Sequence, residues 1–321
     1  MMILESLKQS RSLLLVTHIR PDGDAIGSLL ALGRALSLMG KNVRLYNESP
    51  IPAIFRFLPG IERIMSDPGN LSSYDTAVVL DCSDLSRVGS HADEVGRIPT
   101  VLNIDHHVTN TGFGLHQMVD PAASSTGELV YRLVTDLKVP IDVSMAYAIY
   151  TAIFTDTGSF LFQNTTPEAY FICGRMVETG VDSYKVAQTL FATYSLGRLK
   201  LLNMVLDTIE ISDNGKLSVM YLTQEMLRET ETSVDDINGL VNYAKHIEDV
   251  QVAVLIQESR PLPGDRPKPH YHVSLRSNGP VDVGIIAAAY GGGGHPGAAA
   301  FTSFTSLKDI KKEVLRISDA F

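Results

Sequence analysis

The chain has 321 residues with 36 acidic against 27 basic side chains, a formal charge of −9. That length has room for two domains, each with its own core, and the acidic balance argues against broad, nonspecific gripping of long nucleic acid, which leaves a basic surface. Two cysteines, Cys82 and Cys173, are too few for a disulfide framework, no apolar run approaches the roughly 18 residues of a membrane span, and Leu13–Val16 is too short for a signal core, so a reducing cytoplasm is the expected compartment.

Ser12 to Thr17 reads as a buried strand that ends in His18-Ile19-Arg20-Pro21-Asp22-Gly23-Asp24. Apolar residues then recur at helical spacing (Ile26, Leu29, Leu30, Gly33, Leu36) until Gly40 closes the helix. His18, Asp22 and Asp24 therefore fall on a strand-to-helix loop. Taken singly, Asp24 reads as a helix cap and Asp22 as a Pro-Asp-Gly turn residue. The full set His-x-x-x-Asp-x-Asp at a strand end is harder to explain as turn chemistry. Lys41 to Tyr46 is a second strand, and residues 50–66, with Pro52, Pro59 and Gly60, read as short helices and loops. Thr76 to Leu80 is a third strand ending in Asp81, and Val101 to Ile104 a fourth that carries Asp105-His106-His107.

Residues 124–137 and 142–155 have helical patterning. The first opens on the cap candidates Ser124-Ser125-Thr126, and the second ends in Asp156-Thr157-Gly158. Strands alternating with helices predict a parallel, doubly wound α/β sheet, whose C-terminal strand tips bind ligands. The tips of three strands bring His18, Asp22, Asp24, Asp81, Asp105, His106 and His107 to one edge, four carboxylates and three imidazoles. Carboxylates so close repel unless cations neutralise them.

Residues 167–192 and 195–210 read as helices, with the expected boundary near 190–205: a catalytic domain over 1–190, a helical linker over 191–208 and a smaller α/β domain over 209–321. Asp213-Asn214-Gly215-Lys216 is a hairpin signal. Residues 239–244 read as a helix, Val250–Ile256 and His272–Arg276 as strands, and 282–290 as a helix. Residues 259–269 form a proline-rich loop. Arg276 on its own reads as the solvating residue of an edge strand. Gly291-Gly292-Gly293-Gly294-His295-Pro296-Gly297 has no Gly-Lys-Ser/Thr and is not a Walker loop. It is expected to be a tight turn whose bare N–H groups, with His295, hold an anion.

Mixed imidazole and carboxylate donors suit Mn2+, with Mg2+, Co2+ or Zn2+ as substitutes. The donors outnumber the needs of one ion, and two bridged ions are an established arrangement for phosphoester hydrolysis, where they acidify a water and clamp phosphate oxygens. A cleft between the domains is the expected active site.

His18-x-x-x-Asp22-x-Asp24, Asp81, Asp105-His106-His107 and Asp156-Thr157-Gly158 resemble the four motifs of the DHH phosphoesterase superfamily. Gly292-Gly293-Gly294-His295 resembles the signature of the DHH-associated C-terminal domain, and Val241-Asn242-Tyr243-Ala244 and Val273-Ser274-Leu275-Arg276-Ser277 resemble segments of the NrnA-like branch. That resemblance implies two Mn2+ ions, one on His18 and Asp22, the other on Asp24, His106 and Asp156, with Asp81 bridging. It implies that Asp105 orients a histidine, that His107 faces the scissile phosphate, and that Arg276 and Gly292–His295 hold the rest of the substrate. The implied activity is hydrolysis of short single-stranded RNA and dinucleotides to mononucleotides, together with dephosphorylation of 3′-phosphoadenosine 5′-phosphate (pAp). A homodimer is the assembly it leaves open. A cyclic-di-AMP or pApA phosphodiesterase is the enzymatic rival, and a non-catalytic nucleotide sensor is the rival of another class. The proline-rich loop is longer than the resemblance leads one to expect.

Overall fold

The computed structural model describes residues 2–191, 195–237, 239–259 and 270–321. Apart from Ser259, the proline-rich loop lies outside the described residues. The chain divides into two compact units, Met1–Thr193 and Tyr194–Phe321.

In the first unit α1 (Met2–Gln9) leads into β1 (Ser12–Thr17), α2 (Gly23–Leu38), β2 (Asn42–Tyr46), β3 (Ile64–Met65), β4 (Thr76–Leu80), α3 (Ala92–Val95), β5 (Thr100–Asp105) and β6 (His116–Val119). Four helices follow the last strand's turn: α4 (Thr126–Asp136), α5 (Val143–Asp156), α6 (Pro167–Thr179) and α7 (Ser183–Phe191). The six strands form one parallel sheet in the order β3-β2-β1-β4-β5-β6. β1, β4 and β5 are buried along nearly their whole length. Their residues alternate between two cores. Leu13, Leu15, Val78 and Leu102 pack beneath α2, α4 and α5, whereas Leu14, Val16, Val79 and Val101 face Val88, Val95 and Ile98. Both faces are covered, which is why these strands are continuous apolar runs rather than alternating ones.

The sheet grows outward from β1 in one direction and from β4 in the other, so the topological switch point lies between their tips. Ligands collect at such a point because the connections on either side diverge and leave a crevice. Three helices converge on it through small residues. A Cβ on Gly27 of α2 would collide with the Ala148 carbonyl of α5, and one on Gly127 of α4 would collide with the Ala152 side chain. This close approach brings the first turn of α2, the start of α4 and the end of α5 together.

The second unit contains α8 (Leu196–Leu206), β7 (Glu210–Ile211), β8 (Leu217–Leu222), α9 (Gln224–Glu229), α10 (Leu240–Lys245), β9 (Val252–Ser259), β10 (His270–Ser277), α11 (Val283–Ala289), β11 (Gly293–His295), β12 (Ala298–Ser303) and α12 (Leu307–Ile317). Its sheet runs β11-β12-β10-β9-β8-β7, parallel only between β8 and β9. One face packs Val219, Val254, Val273 and Leu275 against α11 and α12. The other packs Met220, Ala253 and Leu255 against α8, α9 and α10. Among the described residues, no helix is long and apolar enough to cross a membrane.

Candidate metal centre

His18 stands just past β1, buried, and its Nδ1 bonds the Ile19 carbonyl at 2.9 Å. That bond places the proton on Nδ1 and leaves Nε2 as the lone-pair nitrogen. Nε2 lies 3.4 Å from Asp81 Oδ2 and 3.9 Å from Asp22 Oδ1. Asp22, not Asp24, caps α2, accepting from the Ala25 N–H at 3.0 Å. Its side chain remains 60% exposed.

Asp24 is buried in the first turn of α2 and is met by the start of α4. It accepts from the backbone N–H groups of Thr126 at 2.7 Å and Gly127 at 2.8 Å, and from Ser28 Oγ at 3.2 Å. A carboxylate at a helix N-terminus is stabilised by the unpaired N–H groups there. Burial and the carboxylates of Asp81, Asp156 and Asp22 nevertheless push its pKa well up.

Asp81 follows β4 with φ 57°, a left-handed conformation that a non-glycine residue adopts at a cost. Thr126 Oγ1 donates to its Oδ1 at 3.0 Å. Burial works against its charge, but the bond and charge of His18, with His107 and His106 beyond, hold it below the usual carboxylate range. Burial likewise opposes a charged His18, yet Asp81 raises that imidazole to about 9.

β5 delivers the triplet. His106 Nδ1 approaches the Ala123 carbonyl at 3.3 Å, turning Nε2 toward Asp156 Oδ2 at 3.5 Å, Asp24 Oδ2 at 3.8 Å and Asp81 Oδ1 at 3.9 Å. Asp105, fully buried, accepts from His107 Nδ1 at 2.6 Å and from Asn110 Nδ2 at 2.6 Å. Asn110 also donates to Asn103 Oδ1 at 2.8 Å, which ties the post-β5 turn back to the strand. Asp156, the last residue of α5, accepts from Asn164 Nδ2 at 3.2 Å. Burial and the Asp81 and Asp22 carboxylates push it up to about 7, against the pull of His106.

Three sets of donor atoms each lie within 4.8 Å of one another: His18, Asp22 and Asp81; Asp24, His106 and Asp156; and Asp81, His106 and His107. Asp81 belongs to two of them. In the third set His107 Nδ1 is tied to Asp105 at 2.6 Å, whereas in the first two the histidines present Nε2, their Nδ1 atoms being held by backbone carbonyls. Buried carboxylates with raised pKa values, beside imidazoles whose Nε2 atoms converge, form a donor set that fits divalent cations.

In the second unit Arg276 lies on β10, which is interior to the sheet between β9 and β12, so it is not the solvating residue of an edge strand. It pairs in register with Ala298, and Ala298 pairs in register with His295 of β11. Directly opposed residues share a sheet face, so Arg276 and His295 flank the small Ala298, their Cβ atoms on the order of 10 Å apart. Within the segment expected to be a tight turn, Gly291 and Pro296-Gly297 are turn residues and Gly293–His295 form the short strand β11. A Cβ on Gly292 would collide with the Ala300 carbonyl, and Gly294 has φ 149° with the Ala298 carbonyl against it. Burial lowers the Arg276 pKa, and burial plus the Arg276 charge lowers that of Lys245 on α10.

Asn110, Asn164 and Lys245 border these sites without being singled out by the sequence, and Thr126 reads there only as a cap candidate. Asn110, three residues after His107, and Asn164, followed by Thr-Thr-Pro, each have the local pattern of a turn residue.

Residues 12–153 match the DHH family, N-terminal domain, and residues 214–318 match the DHHA1 domain. The chain is 36% identical over 292 residues to the bifunctional oligoribonuclease and PAP phosphatase NrnA of Thermus thermophilus, covering 90% of this chain and 83% of that one. It is 28% identical to the Bacillus subtilis protein of the same name, covering 92% and 90%. The crystal structure of an exopolyphosphatase-related protein from Bacteroides fragilis superposes with a TM-score of 0.91 at 27% identity, covering 98% of this chain and 94% of that one. The chain therefore belongs to the DHH phosphoesterase family, whose members are metal-dependent hydrolases, and has the DHH and DHHA1 domains of its NrnA-like branch.

Proposed function

We propose that this protein hydrolyses very short oligoribonucleotides and linear dinucleotides to mononucleotides, and removes one phosphate from pAp to leave AMP. The observation that carries the reading is the pair of donor sets at the switch point of a parallel sheet, one containing Asp81 and the other bordering it through His106, whose Nε2 lies 3.9 Å from Asp81 Oδ1. His18 and Asp22 would hold one ion, Asp24, His106 and Asp156 the other, and Asp81 would serve both. Mn2+ suits this mix of imidazole and carboxylate best, with Mg2+ or Co2+ as substitutes. When bound, such a pair supplies Lewis-acid charge at the phosphate and lowers the pKa of a coordinated water.

The chain's own residues do the rest. Asp105 fixes the ring of His107 by accepting a 2.6 Å hydrogen bond from its Nδ1–H. The opposite ring nitrogen is then oriented toward a scissile phosphate oxygen and stabilises the charge that develops there. Arg276 and His295, with Ala298 as the notch between them and Gly292–Gly294 leaving the backbone bare, hold the substrate's other phosphate. The names of the Thermus and Bacillus relatives, similar over nearly their full lengths, support the same substrate class.

A hydrolysis panel with the manganese-loaded protein tests the reading: pApA, longer oligoribonucleotides, pAp, cyclic-di-AMP and pyrophosphate side by side. AMP from pApA and from pAp is expected. Preferential turnover of cyclic-di-AMP would move the assignment to a cyclic-dinucleotide phosphodiesterase, and binding of pApA with no release of AMP would make the protein a sensor.

A further inference from the structure

Arg87 is a cation held between the loops of the metal centre with no carboxylate of its own. It lies in the 3-10 turn Leu85–Val88, which opens at Asp84 shortly after Asp81. The turn is stitched on both sides. The Ile19 N–H donates to the Arg87 carbonyl at 2.8 Å, joining it to the loop of His18. The Thr111 N–H donates to the Ser83 carbonyl at 2.8 Å, and Thr111 Oγ1 to Asp84 Oδ2 at 3.3 Å, joining it to the turn of His107 and Asn110. Asp84 is occupied in capping the turn through the Ser86 N–H at 2.9 Å and Ser86 Oγ at 2.5 Å. The Arg87 side chain is exposed, and among the described residues it makes no ion pair or side-chain hydrogen bond.

An arginine on a backbone joined both to the loop of His18 and to the turn that follows His107 has the fork of donors that matches two phosphate oxygens. The acidic residues nearby are turned into the ligand sets or spent on the turn, so the guanidinium remains available to an anion. We propose that Arg87 is a substrate-binding residue of the first unit that grips non-bridging oxygens of the phosphate being cut. The inference rests on the phosphodiesterase reading above. It has a consequence that Arg276 and His295 do not share: the phosphate being cut is common to every substrate, whereas a terminal phosphate is not.

The test compares Arg87→Met, Arg87→Lys and wild type on pApA and on ApA, which lacks the terminal phosphate. Arg87→Met lowers kcat/KM roughly ten- to a hundredfold on both substrates, by the same factor. It raises the dissociation constant for AMP, measured calorimetrically, and leaves manganese content and melting temperature at wild-type values. Arg87→Lys recovers part of the loss, since charge returns without the fork. Wild-type efficiency in Arg87→Met, loss of bound manganese, or a defect confined to pApA would each overturn the proposal. Wild type that cuts neither dinucleotide would sink the functional reading and this inference with it, whereas active wild type beside an equally active Arg87→Met protein would sink this inference alone.

Discussion

Asp81→Asn is the perturbation that most sharply separates a shared metal ligand from a structural acid. The side chain is 3% exposed and lies 3.4 Å from His18 Nε2, 3.9 Å from His106 Nε2 and 3.6 Å from His107 Nδ1. Asparagine keeps its shape and can still accept from Thr126 Oγ1, so the strand tip and the start of α4 stay joined. What it loses is one negative charge that belongs to one donor set and lies 3.9 Å from His106 Nε2 of the other. A unit charge pair about 4 Å apart at an effective dielectric of about 20 is worth about 4 kcal/mol, or roughly a thousandfold in affinity. The variant should therefore bind both ions at least that much more weakly and lose turnover with them. Isothermal titration of Mn2+ into chelator-treated protein, with elemental analysis after gel filtration, reads this directly. If Asp81→Asn retains two tightly held manganese ions per chain and near-wild-type turnover, Asp81 is not the shared ligand and the two-set reading is wrong.

Asn110→Ala should leave manganese content intact and lower kcat on pApA roughly ten- to a hundredfold, the usual cost of removing a residue that orients a ligand or its neighbour. The reason is that Asp105, and through it His107, loses its 2.6 Å anchor; a rise in KM with unchanged kcat would contradict this. The metal-free protein should lose stability as pH rises, because folded Asp156 binds its proton up to about 7 against an ordinary 3.8, and folded His18 up to about 9 against 6.5. Their contribution is complete below the ordinary values and disappears through the raised ones, so the gain in melting temperature on adding manganese should widen between about pH 5 and about pH 8. A gain independent of pH would count against the raised values. Gly27→Val should destabilise the protein by about 1–3 kcal/mol, and should weaken manganese binding as well, because the colliding Ala148 carbonyl lies on the helix that ends in Asp156. Wild-type stability by denaturant titration would show that the α2–α5 approach is not as tight as described.

The residues of the donor sets are legible because buried parallel strands are unbroken apolar runs, and a polar residue at such a run's end has few structural uses. His18, Asp81 and the Asp105–His107 triplet stand out on that ground. Their supports do not. Thr126 reads as one of three cap candidates beside Ser124 and Ser125, and only the packing of Gly27 and Gly127 against α5 brings its N–H and hydroxyl to Asp24 and Asp81. Asn110 and Asn164 sit in local patterns that fit ordinary turns, and nothing local shows that a buried carboxylate needs them. The roles of Asp22 and Asp24 in the helix start depend on two residues of offset, which a pattern does not fix. The glycine run reads as a turn because glycine seldom forms strands; pairing with Ala298–Ala300 makes it one, with Gly292 and Gly294 required by the closeness of the neighbouring backbone. Arg276 looks like an edge residue until the order of the sheet puts β12 outside it.

The central claim is that two ions at Asp81 cut a phosphodiester between nucleotides. Chelator-treated protein titrated with Mn2+, with AMP release from pApA followed at each step, tests it most directly. The claim predicts no release without metal and activity that is complete only once two equivalents per chain are bound. Binding of pApA without AMP release at any manganese level would contradict it.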